Sequence, residues 1–270
     1  MIESCIDSPI TLFTVYVDSL HNLNEKQIKN FKIKKEHSLR VAEIAEWISL
    51  KLELDKSDAS IAKLAALFHD IGRFLQLSEY NTFDDSKSVD HAEFSVEILK
   101  RESFLQKLGC NSENLVFSAI SAHNKFKIPE KLNGKELLHA KILRDADKLD
   151  ILKILSDYYS QRNVQPNHTL TWELPEGNSV SNNVERDVLD GKVVLKKEVV
   201  SEIDLKIMQL SWIYDLNFKC TIEYAIRQRF FEKIYNSLPK HDKIIDIYRK
   251  IKVFGENKVM DAHTKDNIYI

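Results

Sequence analysis

An all-α fold is predicted by three observations on this 270-residue chain. Apolar residues recur at helical spacing through most of its length. Only six glycines occur, too few for Gly-rich nucleotide loops, Rossmann turns or β-sandwich corners. Strand-like alternation is confined to one short stretch. Hydrophobic content of 43% and charged content of 30% describe an ordinary globular chain with enough apolar material for a core. The 270 residues suffice for one large helical domain or for a domain with an appendage.

The elements follow in order. His37, Val41, Ile44, Ile48 and Leu52 fall at i, i+4, i+7, i+11 and i+15, tracing one helix face. Ile61, Leu64, Ala65 and Phe68 trace the next, with Ser57 or Asp58 expected as its N-cap and Gly72 just past its end. His91, Phe94, Ser95, Ile98 and Leu99 mark a third helix, and Val116, Ala119, Ile120 and His123 a fourth. Ala140, Leu143, Asp147, Ile151 and Ile154 lie along a fifth. Residues 163–183, with Pro166, Pro175 and Gly177, read as loop, and Leu170, Trp172 and Leu174 alternate as a short strand would. Asp190-Gly191 signals a turn. Helical spacing resumes through Ile203, Ile207, Leu210 and Tyr214, then Phe218, Ile222, Ile226 and Phe230. Pro239 sets off a last helix, and the tail beyond Gly255 is expected to fray. Two parts result: a helical domain over 1–160 and a loop-rich, then helical, extension over 161–270 packed on the same core.

Charge and cysteine content narrow the function classes. Lys plus Arg is 39 and Asp plus Glu is 41, a net charge of −2, so no nucleic-acid polymer or anionic membrane is expected as partner. Three scattered cysteines form no Cys-x-x-Cys pair, which excludes a thiolate zinc site and a disulfide framework. The apolar run over 10–17 has no basic leader or small-residue cleavage site, and no stretch reaches the ~20 apolar residues of a membrane span. A cytoplasmic location is therefore expected.

The chemistry lies in polar residues placed where apolar ones belong. His37, His91, His123 and Asp147 each sit on the apolar stripe of their own helix, where a polar side chain is desolvated and needs a partner. Taken singly, each reads as a buried group bonded to a backbone carbonyl. Taken together with His69-Asp70 on a further helix, they are satisfied at once by a common metal centre. The two oxygens of Asp70 allow it to ligate one ion and bridge to a second. Four imidazoles and two carboxylates cannot close two six-fold shells, and open positions mark a catalytic site rather than a structural one. The nitrogen-rich set suits divalent transition metals, Fe, Mn, Co, Ni or Zn, better than Mg or Ca.

The order His, His-Asp, His, His, Asp resembles the HD-domain superfamily of metal-dependent phosphohydrolases. The residues that carry the resemblance are His37-Ser38-Leu39-Arg40-Val41, Leu67-Phe68-His69-Asp70-Ile71-Gly72-Arg73, Asp90-His91-Ala92-Glu93, Ala122-His123-Asn124 and Arg144-Asp145-Ala146-Asp147-Lys148-Leu149-Asp150. The resemblance covers roughly the first 160 residues. It implies an HD-type helical bundle with a mostly helical C-terminal extension. It also implies one ion on His37, His69, Asp70 and Asp147, and a second on Asp70, His91 and His123. The superfamily's cyclic-dinucleotide phosphodiesterases carry a Gly-Tyr-Pro signature and a doubled histidine; here His123 is followed by Asn124 and no Gly-Tyr-Pro occurs, so that substrate is not expected.

The implied activity is hydrolysis of a phosphate ester or anhydride in a small molecule, nucleotides among the candidates. Asp70 acts as the bridge, with Arg73 and Lys148 as candidate cations for the phosphoryl group. Oligomeric state is not legible. Two rivals stand beside this reading. Some HD-fold proteins with a six-ligand pattern hold a di-iron pair and activate oxygen, and a non-catalytic nucleotide sensor could use the same pocket. The segment 76–88, with Tyr80, Thr82, Phe83, Asp84 and Asp85, joins two ligand-bearing helices and is a candidate substrate-shaping loop. The lysine-rich stretch over 26–35 reads as a solvated helix face. His21, His139, His168, His241 and His263 read as structural or surface residues.

Overall fold

A computed structural model describes residues 8–21, 23–161 and 172–261. Every regular element among them is helical. No helix among the described residues is long and apolar enough to cross a membrane. The chain divides into two compact units, Met1–Asp147 and Lys148–Asn267.

The first unit contains α1 (Pro9–Asp18), α2 (Glu25–Lys51), α3 (Lys56–Phe68), α4 (Ile71–Tyr80), α5 (His91–Arg101), α6 (Phe104–Lys107), α7 (Glu113–His123) and the first half of α8 (Gly134–Ser160). Asn24 and Gln27 form a reciprocal capping box at the start of α2, and Gln27 also donates to the Leu77 carbonyl at 2.9 Å, tying α2 to α4. α3 starts two or three residues earlier than expected: its N-cap is Asp55, which accepts from the Asp58 amide at 2.8 Å. That releases Asp58, which is buried and pairs with Lys135 at 2.8 Å and His139 at 3.2 Å. Phe13, Phe31, Phe68 and Phe74 form the aromatic heart of the unit, in edge-to-face pairs with centroids 5.1–5.9 Å apart.

Gly72 does not close α3. That helix stops at Phe68, His69 and Asp70 make a two-residue corner, and α4 begins at Ile71 with Gly72 inside it. A Cβ on Gly72 would come within 2.6 Å of the His91 carbonyl oxygen and 2.8 Å of the Ser95 amide. Glycine is needed because α4 crosses the backbone of α5 here, and the Ser95 hydroxyl accepts from the Gly72 amide at 2.9 Å.

The second unit contains the remainder of α8, then α9 (Asn182–Leu189), α10 (Glu202–Ser211), α11 (Lys219–Arg227), α12 (Phe230–Asn236) and α13 (Asp242–Met260). The Asp190-Gly191 turn is present, with Gly191 at φ +75°. Buried Asp204 accepts from both the amide and the hydroxyl of Ser181 at 2.8 Å and so pins the start of α9 to α10. Leu170 lies outside the described residues. Trp172 and Glu173 both have φ 55°, so the described part of that stretch is a left-handed turn and not a strand. Of the tail expected to fray beyond Gly255, residues 256–260 are helical, and residues 262–270 lie outside the described residues. α13 runs on to Met260 because Gly255 is buried where a Cβ would lie 2.9 Å from both Ile213 and Ile226, a close helix contact rather than a stop. His168 and His263 lie outside the described residues.

Candidate metal centre

Four helices of the first unit and the corner between two others each deliver part of one buried cluster. His37 comes from the middle of α2, His69 and Asp70 from the α3–α4 corner, His91 from the first turn of α5, His123 from the last residue of α7, and Asp147 from α8. The corner resolves how two adjacent residues can converge. Their helix has ended, so the 100° separation imposed by a continuing helix does not apply.

Asp70 is central and only 4% exposed at its side chain. Its Oδ2 lies 3.8 Å from His37 Nε2 and 3.5 Å from His69 Nε2. Its Oδ1 lies 3.4 Å from His91 Nε2 and 3.8 Å from His123 Nε2. Asp147 Oδ1 closes the first group, 3.2 Å from His37 Nε2 and 3.8 Å from His69 Nε2. Two ligands about 2.1 Å from one ion and at right angles stand about 3.0 Å apart, so these separations suit neighbours in one shell with slight contraction.

The imidazole tautomers show that the donor set fits a cation. His69 Nδ1 faces the Ala66 carbonyl at 2.7 Å and His123 Nδ1 the Ile120 carbonyl at 2.6 Å. A carbonyl only accepts, so both Nδ1 atoms carry the proton and both Nε2 atoms present lone pairs. His91 Nδ1 faces Asp85 Oδ2 at 2.6 Å, which directs its Nε2 lone pair inward as well. His91 Nε2 and His123 Nε2 then meet at 3.1 Å, lone pair against lone pair, and buried His69 Nε2 has no hydrogen-bond partner among the described residues. Such an arrangement is repulsive unless a positive ion sits among the nitrogens. Two overlapping groups satisfy that geometry, His37–His69–Asp70 and Asp70–His91–His123.

Electrostatics keep the carboxylates charged and the imidazole neutral. Burial opposes ionisation of Asp70, but the Lys34 ammonium outweighs it and holds the carboxyl well below the usual range. Asp147 is lowered as well, burial being overcome by its contact with His37. Burial pushes His91 down to about 4 despite the opposing pull of Asp85.

A second layer fixes the candidate ligands. Asp85 sits in the 3₁₀ turn Asp85–Lys87 of the α4–α5 loop, and its other oxygen accepts from Arg73 Nη1 at 2.8 Å and Gln76 Nε2 at 3.1 Å. Arg73 also donates from Nη1 to Gln76 at 2.9 Å and to the Phe83 carbonyl, while its Nε lies 3.7 Å from Asp70 Oδ1. Asp90 caps α5 and accepts from Asn124 at 2.8 Å and Lys125 at 2.7 Å, so the asparagine after His123 joins α7 to α5. Buried Arg144 donates to the carbonyls of Lys125 at 2.5 Å and Phe126 at 2.8 Å, capping the end of α7 that carries His123. Lys148 is ion-paired to Asp215 at 2.6 Å in the second unit.

Lys34 was hidden in the lysine-rich stretch. Its Nζ donates to Asp70 Oδ2 at 2.6 Å, so it is not part of a solvated face. The available signal was its position one turn before His37, which puts both on one side of α2.

All six candidate ligands fall inside one family match: residues 35–152 fit the model of the HD domain. Residues 35–152 are an HD domain. HD domains bind divalent metals, and the family is one of metal-dependent phosphohydrolases. The chain is also similar to Ribonuclease Y from two strains of Ureaplasma parvum serovar 3, each 30% identical over 125 residues, or 46% of this chain and 22% of the relative. The chain thus spans about a fifth of the length of these curated relatives. No solved structure matches it.

Proposed function

We propose that the HD domain is a binuclear, metal-dependent phosphohydrolase acting on a phosphate ester or anhydride of a small molecule, nucleotides among the candidates. The observation that carries this reading is the division of the two Asp70 oxygens between two histidine pairs. His37, His69, Asp70 and Asp147 would hold one ion, and Asp70, His91 and His123 would hold the other. Divalent transition metals bound there supply an ionised water at neutral pH and neutralise phosphoryl charge.

The remaining steps belong to the chain's own residues. The carbonyls of Ala66 and Ile120 and the carboxylate of Asp85 hold three imidazoles in the ligating tautomer. Arg73 keeps a fixed positive charge beside Asp70 while its Nη1 clamps the loop that carries Asp85. Lys148 lies next to a ligand in sequence and, paired with Asp215, is the less direct candidate of the two cations.

The similarity to Ribonuclease Y favours a second reading, in which the substrate is an RNA phosphodiester. A panel separates the readings: nucleotides, phosphorylated metabolites and short RNAs, each offered to protein reloaded with Mn, Co, Ni or Fe. Phosphate release from small molecules supports the first reading. Cleavage of RNA alone transfers the assignment to the second. Oxygen consumption with an iron signal, and neither phosphate release nor RNA cleavage, refutes both.

A further inference from the structure

We propose that Lys34 grips a phosphoryl oxygen of the substrate, and that its ion pair with Asp70 is the resting contact it leaves when metal binds. The proposal rests on the binuclear reading above. Lys34 Nζ lies 2.6 Å from Asp70 Oδ2, the oxygen that also faces His37 and His69. An ammonium and a divalent ion compete for that oxygen, because two cations at hydrogen-bond and ligand distance from one atom repel strongly. The ammonium is the one that can leave. Among the described residues Lys34 makes no other hydrogen bond, its side chain is 26% exposed against 4% for Asp70, and a four-carbon stem gives it reach.

Its direction of exit follows from its surroundings. The Lys34 ammonium lies 6.0 Å from the centre of the Phe83 ring, and the Arg73 guanidinium lies 5.9 Å from the same centre. The two cations therefore flank one aromatic ring at the loop side of the centre. Arg73 is held there by Gln76, Phe83 and Asp85, so Lys34 is the mobile member of the pair. A phosphoryl dianion entering from the exposed side meets the released ammonium before it meets the buried ligands. Lys34 thus serves as the anion-binding group.

Three proteins test this: the natural chain, Lys34→Met and Lys34→Arg, each titrated first with Mn²⁺ and then, metal-loaded, with inorganic phosphate. Lys34→Met should bind Mn²⁺ at least as tightly as the natural protein, since a competing cation is gone. Its phosphate affinity should fall about 10- to 100-fold, the worth of one charge-assisted hydrogen bond, and Lys34→Arg should restore most of it. Loss of metal from Lys34→Met overturns the proposal, because Lys34 would then be a support for Asp70. Unchanged phosphate affinity overturns it equally. Failure of the underlying reading shows separately, as a natural Mn-loaded protein that neither binds phosphate nor releases it from any ester.

Discussion

Replacing Asp85 with Asn should expel one metal ion and leave the other. Asp85 uses its two oxygens differently: Oδ2 takes the proton of His91 Nδ1 at 2.6 Å, and Oδ1 accepts from Arg73 at 2.8 Å and Gln76 at 3.1 Å. An asparagine has one carbonyl oxygen. Two donors on the Arg73 side claim it, so the amide NH₂ turns toward His91. A donor there needs an acceptor, and His91 satisfies it only by moving its proton from Nδ1 to Nε2, the atom that faces Asp70 and His123. The nitrogen is then no longer a ligand.

Loss of an outer partner of a ligating histidine costs about 10- to 100-fold in metal affinity, or about 1.4–2.8 kcal/mol. The Asp85 side chain is 32% exposed, so in Asp85→Ala water can take its place and the loss should fall near the lower end of that range. Asp85→Asn should fall at the upper end, because its amide enforces the wrong tautomer. The ion on His37, His69 and Asp147 should change by less than about twofold, since none of these residues touches Asp85. Titration of metal-free protein with Mn²⁺ by calorimetry, with metal analysis after dialysis, should show two ions in the natural chain and one in Asp85→Asn. Equal weakening of both ions, or a larger loss in Asp85→Ala than in Asp85→Asn, would refute the tautomer argument.

Asp70→Ala should remove both ions and all turnover while circular dichroism stays helical, because the helices bury their own apolar faces; retained turnover would rule out the bridge. Gly72→Ala should destabilise the protein by about 1–3 kcal/mol in urea and lower occupancy of the ion on His91, since the new methyl would push on the α5 backbone. Phe74→Ala should cost about 3–5 kcal/mol, a buried ring lost from the Phe13–Phe31–Phe68 cluster. Acid should destabilise the metal-free protein in two stages, read as melting temperature against pH. His91, folded near 4 against 6.5 unfolded, binds its proton first in the unfolded chain, so stability falls as pH drops from about 6.5 toward 4. Asp70, Asp85 and Asp147 are all depressed, and below about 4 the unfolded chain also takes up their protons, which steepens the loss. A flat profile over this range would contradict these shifts.

Periodicity located the ligand-bearing helices because each has a one-sided apolar stripe. It misread helix ends and glycines. Asp55 rather than Ser57 or Asp58 caps α3, a choice among neighbouring polar residues that local pattern does not decide. Gly72 and Gly255 resembled stop signals, yet both lie inside helices where another element approaches within van der Waals range. The meaning of a glycine depends on what packs against it, and that partner lies 19 residues or more away in sequence for Gly72 and 29 or more for Gly255.

The same distinction separates the parts of the centre that could be read from those that could not. The candidate ligands stood out because a histidine or aspartate on an apolar stripe violates its surroundings. Lys34 and Asp85 violate nothing: one stands among lysines and the other in a polar loop beside Asp84 and Ser86. Their roles come from tertiary placement, which carries an ordinary surface charge to within 2.6 Å of a buried carboxylate or imidazole. Residues that touch the metal must be buried and chemically odd, so sequence exposes them. Residues that orient ligands or meet an incoming substrate must reach toward solvent, where charged residues are common. Substrate choice by this HD domain is therefore expected to reside in Lys34, which pattern alone passes over, together with Arg73 and Phe83, which the motif and the loop between two helices already single out. Exchanging Phe83 for Ala should alter the ranking of substrates more than it alters metal content, and the reverse result would place that ring with the ligand supports instead.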